Sequence, residues 1–97
     1  MRPVTKKTGD QAKGQLERIR DLANYGLSSD QANRQDPAEW YRTILRAAGD
    51  VREEAKILER RLSDEALEKK VIGPTEIAKA ARITTAALYK RRKSDGS

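Results

Sequence analysis

The densest chemistry in this chain is cationic and lies near its C-terminal end, where Lys90, Arg91, Arg92 and Lys93 are consecutive. Four adjacent positive heads cannot pair with one another, so anions are their natural partners. Lys79 and Arg82 precede the run, and Thr84, Thr85, Ala86 and Tyr89 lie between. On a helix, Thr85, Ala86, Tyr89, Lys90 and Lys93 share one side, which gathers a hydroxyl, a methyl, a phenol and ammonium groups on a common face. That set suits duplex DNA: the cations neutralise phosphates while the small groups meet base edges. It holds neither Asn nor Gln, which read adenine bidentately. Direct readout would therefore rest on Lys90 or an Arg against guanine and on Ala86 or Thr85 against a thymine methyl. Modest base specificity per copy follows, with affinity falling steeply in salt at a slope of about −0.9 per phosphate contact.

Other chemistries are poorly served. Cys and His are both absent, which removes disulfides, Cys/His zinc sites, thiol nucleophiles and imidazole acid–base catalysis together. Glu53, Glu54, Glu59 and Glu65 sit among basic neighbours at helical spacing, the pattern of solvated ion pairs and not of a metal cluster. No enzyme, cofactor, metal or small-molecule ligand is expected. With 97 residues, 37% of them charged, only 4% aromatic and no Phe, the chain has little material for a large core. One small domain fits, with apolar surface buried along helices or against a partner. The net charge of +6 is concentrated at the two ends: residues 1–14 carry +3, 15–73 carry −1 and 74–97 carry +4. No apolar run approaches the roughly 20 residues that span a bilayer, and Met1 to Lys13 has no signal-like stretch. A cytoplasmic, nucleoid-associated location without membrane contact is expected.

The elements that must position these residues read as all-α, because apolar residues recur at helical and not strand spacing. Residues 1–9 read as a flexible basic arm in which Arg2, Lys6 and Lys7 could reach DNA. A first helix is expected from Asp10 to Asn24 with Leu16, Ile19, Leu22 and Ala23 on one stripe. Tyr25-Gly26 would end it, and Ser28 to Gln31 would form a short turn. Asp36-Pro37-Ala38-Glu39 then opens a long helix, with Asp36 as N-cap and Glu39 closing a capping box. Along it Tyr41, Ile44, Ala48, Val51, Ala55, Leu58 and Leu62 alternate spacings of three and four, the seam of a coiled coil. A homodimer interface is expected there, with Trp40 and Tyr41 as anchors. A break at Gly49 stays open on this pattern, and Ser63-Asp64 offers a second N-cap for a supporting helix over 64–72. The organisation predicted is thus an arm at 1–9, a self-association region at 10–62, a DNA-binding region at 63–93 and a tail at 94–97.

Within that last region, PTEIAKAARITTAALYKRRK resembles the helix-turn-helix of small bacterial repressors and of the C-terminal DNA-binding region of serine recombinases. Ile77-Ala78, the turn at Arg82, Ile83, Thr84 and Leu88 stand where the pattern wants them. Each has a physical reason: a small Ala78 lets the helices cross, Ile83 and Leu88 fill the angle between them, and Thr84 caps the second helix. Two positions depart from the pattern, since Arg82 stands where Gly is usual and no aliphatic residue closes the far end of the second helix. The resemblance implies a double-stranded DNA-binding transcriptional regulator of bacterial or phage type, acting as a homodimer. A plasmid or phage segregation or packaging protein, or a coiled-coil interaction module, would carry the same features.

Overall fold

The computed structural model describes residues 3–95, without the side chains of 31–33 and 92–95. The fold is all-α: α1 spans Lys6–Asn33, α2 Pro37–Glu68, α3 Pro74–Ala81 and α4 Thr85–Asp95, with no strand among the described residues. The chain divides into two compact units, one reaching to Leu58 and the other starting at Glu59.

The N-terminal unit is an antiparallel hairpin of α1 and the first two-thirds of α2. Helix α1 begins earlier than its apolar stripe predicts, because Thr5 caps it by accepting a hydrogen bond from the Thr8 backbone N–H at 3.2 Å. Lys6 and Lys7 are therefore helical and not part of a flexible arm, while Arg2 lies outside the described residues. The helix also runs through Tyr25-Gly26 instead of ending there. Gly26 is a contact point between helices and not a cap: it is buried, and a Cβ built on it would lie 3.1 Å from the Ala47 Cβ. Ser28 to Gln31, expected as a separate turn, are simply part of α1.

The start of α2 follows its sequence signal. Asp36 Oδ1 accepts from the Glu39 N–H at 3.2 Å, and Pro37 takes the first helical position. The capping box does not close, because the Glu39 carboxylate accepts from Arg42 at 2.8 Å and from the Thr43 hydroxyl. No break occurs at Gly49 or at Ser63, and α2 is continuous to Glu68. Ser63 is buried and donates its hydroxyl to Glu59 one turn back, so it serves the helix interior instead of capping a new one. The expected supporting helix over 64–72 is the last turn of α2 followed by a reversal. In that reversal Val71 N–H bonds Ala66 C=O and Lys70 N–H bonds Leu67 C=O, both at 3.2 Å, with Lys70 left-handed at φ 54°.

The C-terminal unit is built on the end of α2, α3 and α4. Extended Gly73 and Pro74 start α3, which contributes Ile77 and Ala78 to the core; α4 contributes Leu88, fully buried. Glu59 and Ser63 belong to this compact unit as well.

Candidate nucleic-acid interface

The turn between α3 and α4 is three residues long and fully hydrogen-bonded. Arg82 N–H bonds Lys79 C=O at 3.3 Å and Ile83 N–H bonds Ala78 C=O at 2.9 Å, which closes α3 around a left-handed Arg82 at φ 59°. Arg82 thus takes the conformation for which glycine is usual. Thr84 then caps α4, its hydroxyl accepting from the Ala87 N–H at 2.9 Å while its carbonyl accepts from the Leu88 N–H. Ala78 and Leu88 are buried and Ile83 is half-buried.

Of the residues expected at the DNA surface, Lys79, Arg82, Thr84, Ala86, Tyr89 and Lys90 are exposed, and Thr85 is half-buried. The side chains of Arg92 and Lys93 lie outside the described residues. Arg91 is different. It points inward on the stripe of Leu88, three residues on, and its guanidinium makes a bidentate pair with Glu59 at 2.8 and 2.9 Å. In this structure it is engaged within the fold and only partly exposed. Glu59 neutralises its head. The signal was legible: position 91 is i+3 from Leu88, on the buried face.

The acidic residues read as surface pairs divide the same way. Glu65 does pair along its helix with Lys69 at 2.7 Å. Glu54 instead reaches across the hairpin to Gln15 and to Arg18, the latter at 2.9 Å, and Glu59 holds Arg91 and Ser63. These two carboxylates are tertiary links. No group of acidic residues that could hold a metal occurs among the described residues, nor any helix long and apolar enough to cross a membrane.

The predicted seam is split. Leu58 is buried and Ile44, Val51 and Leu62 are half-buried, whereas Tyr41, Ala48 and Ala55 are exposed. The face of α2 turned to α1 is led by Thr43, Ala47, Glu54 and Leu58, more than a third of a turn round from Tyr41. Leu45, 67% exposed, joins Tyr41 and Ala48 on the outer stripe, with Arg52 in line. On α1 the stripe of Leu16, Ala23 and Leu27, with Arg20 beside it, is exposed and lies about a quarter-turn from Gln15 and Gly26 in the same rotational sense. In an antiparallel pair offsets of the same sense turn both stripes toward one side of the hairpin. Trp40 is half-buried at the turn end, its indole N–H donating to Asp30 at 2.8 Å and its ring edge-on to Tyr41. Asp30 also takes Arg34 at 2.6 Å; that bond first, and the indole second, hold its carboxyl below the usual range.

No protein-family model, curated protein or solved structure matches this chain.

Proposed function

We propose that the chain binds double-stranded DNA through a helix-turn-helix formed by α3, the turn at 82–84 and α4, and that it does so as a homodimeric regulator. The observation that carries this reading is the two-sidedness of α4. Its inner side is fixed by buried Leu88 and by Arg91 on Glu59, while its outer side presents Ala86, Tyr89 and Lys90 behind the Thr84 cap. A helix braced from behind and bearing small and cationic groups in front is suited to the major groove. Lys79 and Arg82, both exposed, supply phosphate contacts beside it. From Glu59 onward the sequence has ten basic and six acidic residues, so this unit carries +4.

The dimer reading rests on the apolar side of the hairpin, where Leu16, Leu27, Tyr41 and Leu45 are each more than half exposed. A homodimer of helix-turn-helix readers takes half-sites about 34 to 36 Å apart. Duplex binding measured by fluorescence anisotropy tests the first claim: Lys90→Glu with Lys79→Glu should abolish it while leaving the helical circular dichroism intact. Unchanged binding by that folded variant rules the interface out. Sedimentation of Leu27→Glu with Leu45→Glu tests the second, since these exposed positions leave the hairpin's own contacts intact; the mass should drop from dimer to monomer.

A further inference from the structure

The described glycines all avoid positive φ, yet two other residues adopt it: Lys70 at 54° and Arg82 at 59°. This inverts the usual economy, because glycine takes the left-handed conformation without the clash that a Cβ brings. Both residues occupy the same place in the same motif. Each terminates a helix through a pair of backbone hydrogen bonds, Lys70 at the end of α2 and Arg82 at the end of α3. The two caps bracket α3 in sequence, and both side chains are exposed. Lys69, the neighbouring cation, is committed to Glu65 instead.

We propose that Lys70 is a DNA phosphate contact that works with Arg82, and that both left-handed caps keep a long cation in place of glycine for this purpose. The inference rests on the DNA-binding reading above and adds to it a second contact, from the cap that precedes α3 in sequence. Backbone conformation strained at a given point is retained where the side chain it presents has work to do. Two paired backbone bonds also fix the direction in which each cation leaves the fold, unlike a lysine on an open helix face. The competing account is local: a cation near a helix C-terminus favours the helix dipole, and then Lys70 and Arg82 serve stability alone.

Replacement by glycine makes the two accounts diverge. If the cations serve DNA, Lys70→Gly and Arg82→Gly each relieve the left-handed backbone, and the melting temperature holds or rises by about 2 to 4 °C. Affinity for a random-sequence duplex of about three helical turns, measured by anisotropy, falls about fivefold per variant, and the slope of log affinity against log salt becomes shallower by about 0.9. Lys13→Gln, which removes one charge from α1, leaves that slope unchanged. Lys70→Asn, which tolerates the left-handed cap, behaves as Lys70→Gly. A salt slope unchanged in Lys70→Gly overturns the proposal whichever way the melting temperature moves. If the wild type binds duplex and Lys90→Glu abolishes binding while Lys70→Gly is without effect, this contact alone fails. A wild type that binds no duplex removes both readings.

Discussion

The two units of this protein solve the same problem with different materials. The C-terminal unit packs Ile77, Ala78 and Leu88 from two short helices against the end of α2, and it uses Arg91 and Glu59 where hydrophobic side chains run out. The N-terminal hairpin keeps its helices together with small and polar groups: Gly26 against Ala47, Glu54 on Gln15 and Arg18, and Asp30 on Trp40. It buries Leu58 and half-buries Ile19, Leu22, Ile44 and Val51, but leaves Leu16, Leu27, Tyr41 and Leu45 outside. A few fully buried residues can make a small unit self-sufficient, whereas a hairpin that exposes its leucines gains stability only when another surface covers them.

The most direct way to break that contrast is to empty the C-terminal core. Leu88 has no solvent exposure, so Leu88→Ala should cost about 2 to 5 kcal/mol, measured by urea unfolding. A cost below about 1 kcal/mol would mean that the unit has no core of its own. The ion pair comes next. Glu59→Gln removes the charge of Arg91's bidentate partner beside that core and should cost about 1 to 3 kcal/mol, less than a fully buried pair because both groups retain some exposure. Joint replacement of Glu59 and Arg91 by leucine should recover most of that loss. If the double variant is as unstable as the single one, Arg91 is not filling an aliphatic position.

These particulars also mark what can be read without coordinates. Helical spacing alone gives four of the features that matter: the all-α class, the Asp36-Pro37 start, the Thr84 cap and the buried trio of Ile77, Ala78 and Leu88. Each is local, decided within one or two turns. The misread positions are those whose role is set by a partner far along the chain. Gly26 carries a stop signal that Ala47 overrides, Ser63 carries a cap signal that burial overrides, and Arg91 sits in a basic run whose members differ only by the face they occupy. The heptad seam is divided between covered and exposed positions for a related reason. A period of 3.5 and a period of 3.6 are nearly indistinguishable over so few turns, and only the partner helix decides which flank of the stripe is covered.

Glycines sharpen the comparison within the hairpin itself. Gly14 and Gly26 lie in the same helix, but a Cβ at Gly14 meets nothing within 4 Å, while one at Gly26 meets Ala47. Gly14→Ala should stabilise by about 0.5 to 1 kcal/mol through helix propensity and reduced freedom of the unfolded chain. Gly26→Leu should destabilise by about 1 to 3 kcal/mol, because the helices must separate to admit the side chain. Thermal melts of the two variants moving in the same direction would show that backbone proximity does not hold the hairpin.

The smallest expected effect tests the polar end of the same hairpin. Asp30 accepts from Arg34 and from the Trp40 indole, and both bonds favour its ionised form, so its folded pKa lies below the ordinary carboxylate value. A group whose pKa is depressed on folding stabilises the native state above its unfolded pKa, near about pH 4, and loses that contribution as the pH falls through the folded value. The hairpin should therefore weaken only in acid, with no change between pH 6 and 8 arising from this residue. Trp40 is the single tryptophan and sits on the bond in question, so its fluorescence reports the event at its source. Urea midpoints followed at Trp40 should fall below about pH 4 in the wild type, and Asp30→Asn should flatten that part of the profile while lowering the neutral-pH plateau slightly. An acid limb that persists unchanged in Asp30→Asn would show that this carboxylate is not its source and leave the hairpin turn held by the indole packing against Tyr41 instead of by charge.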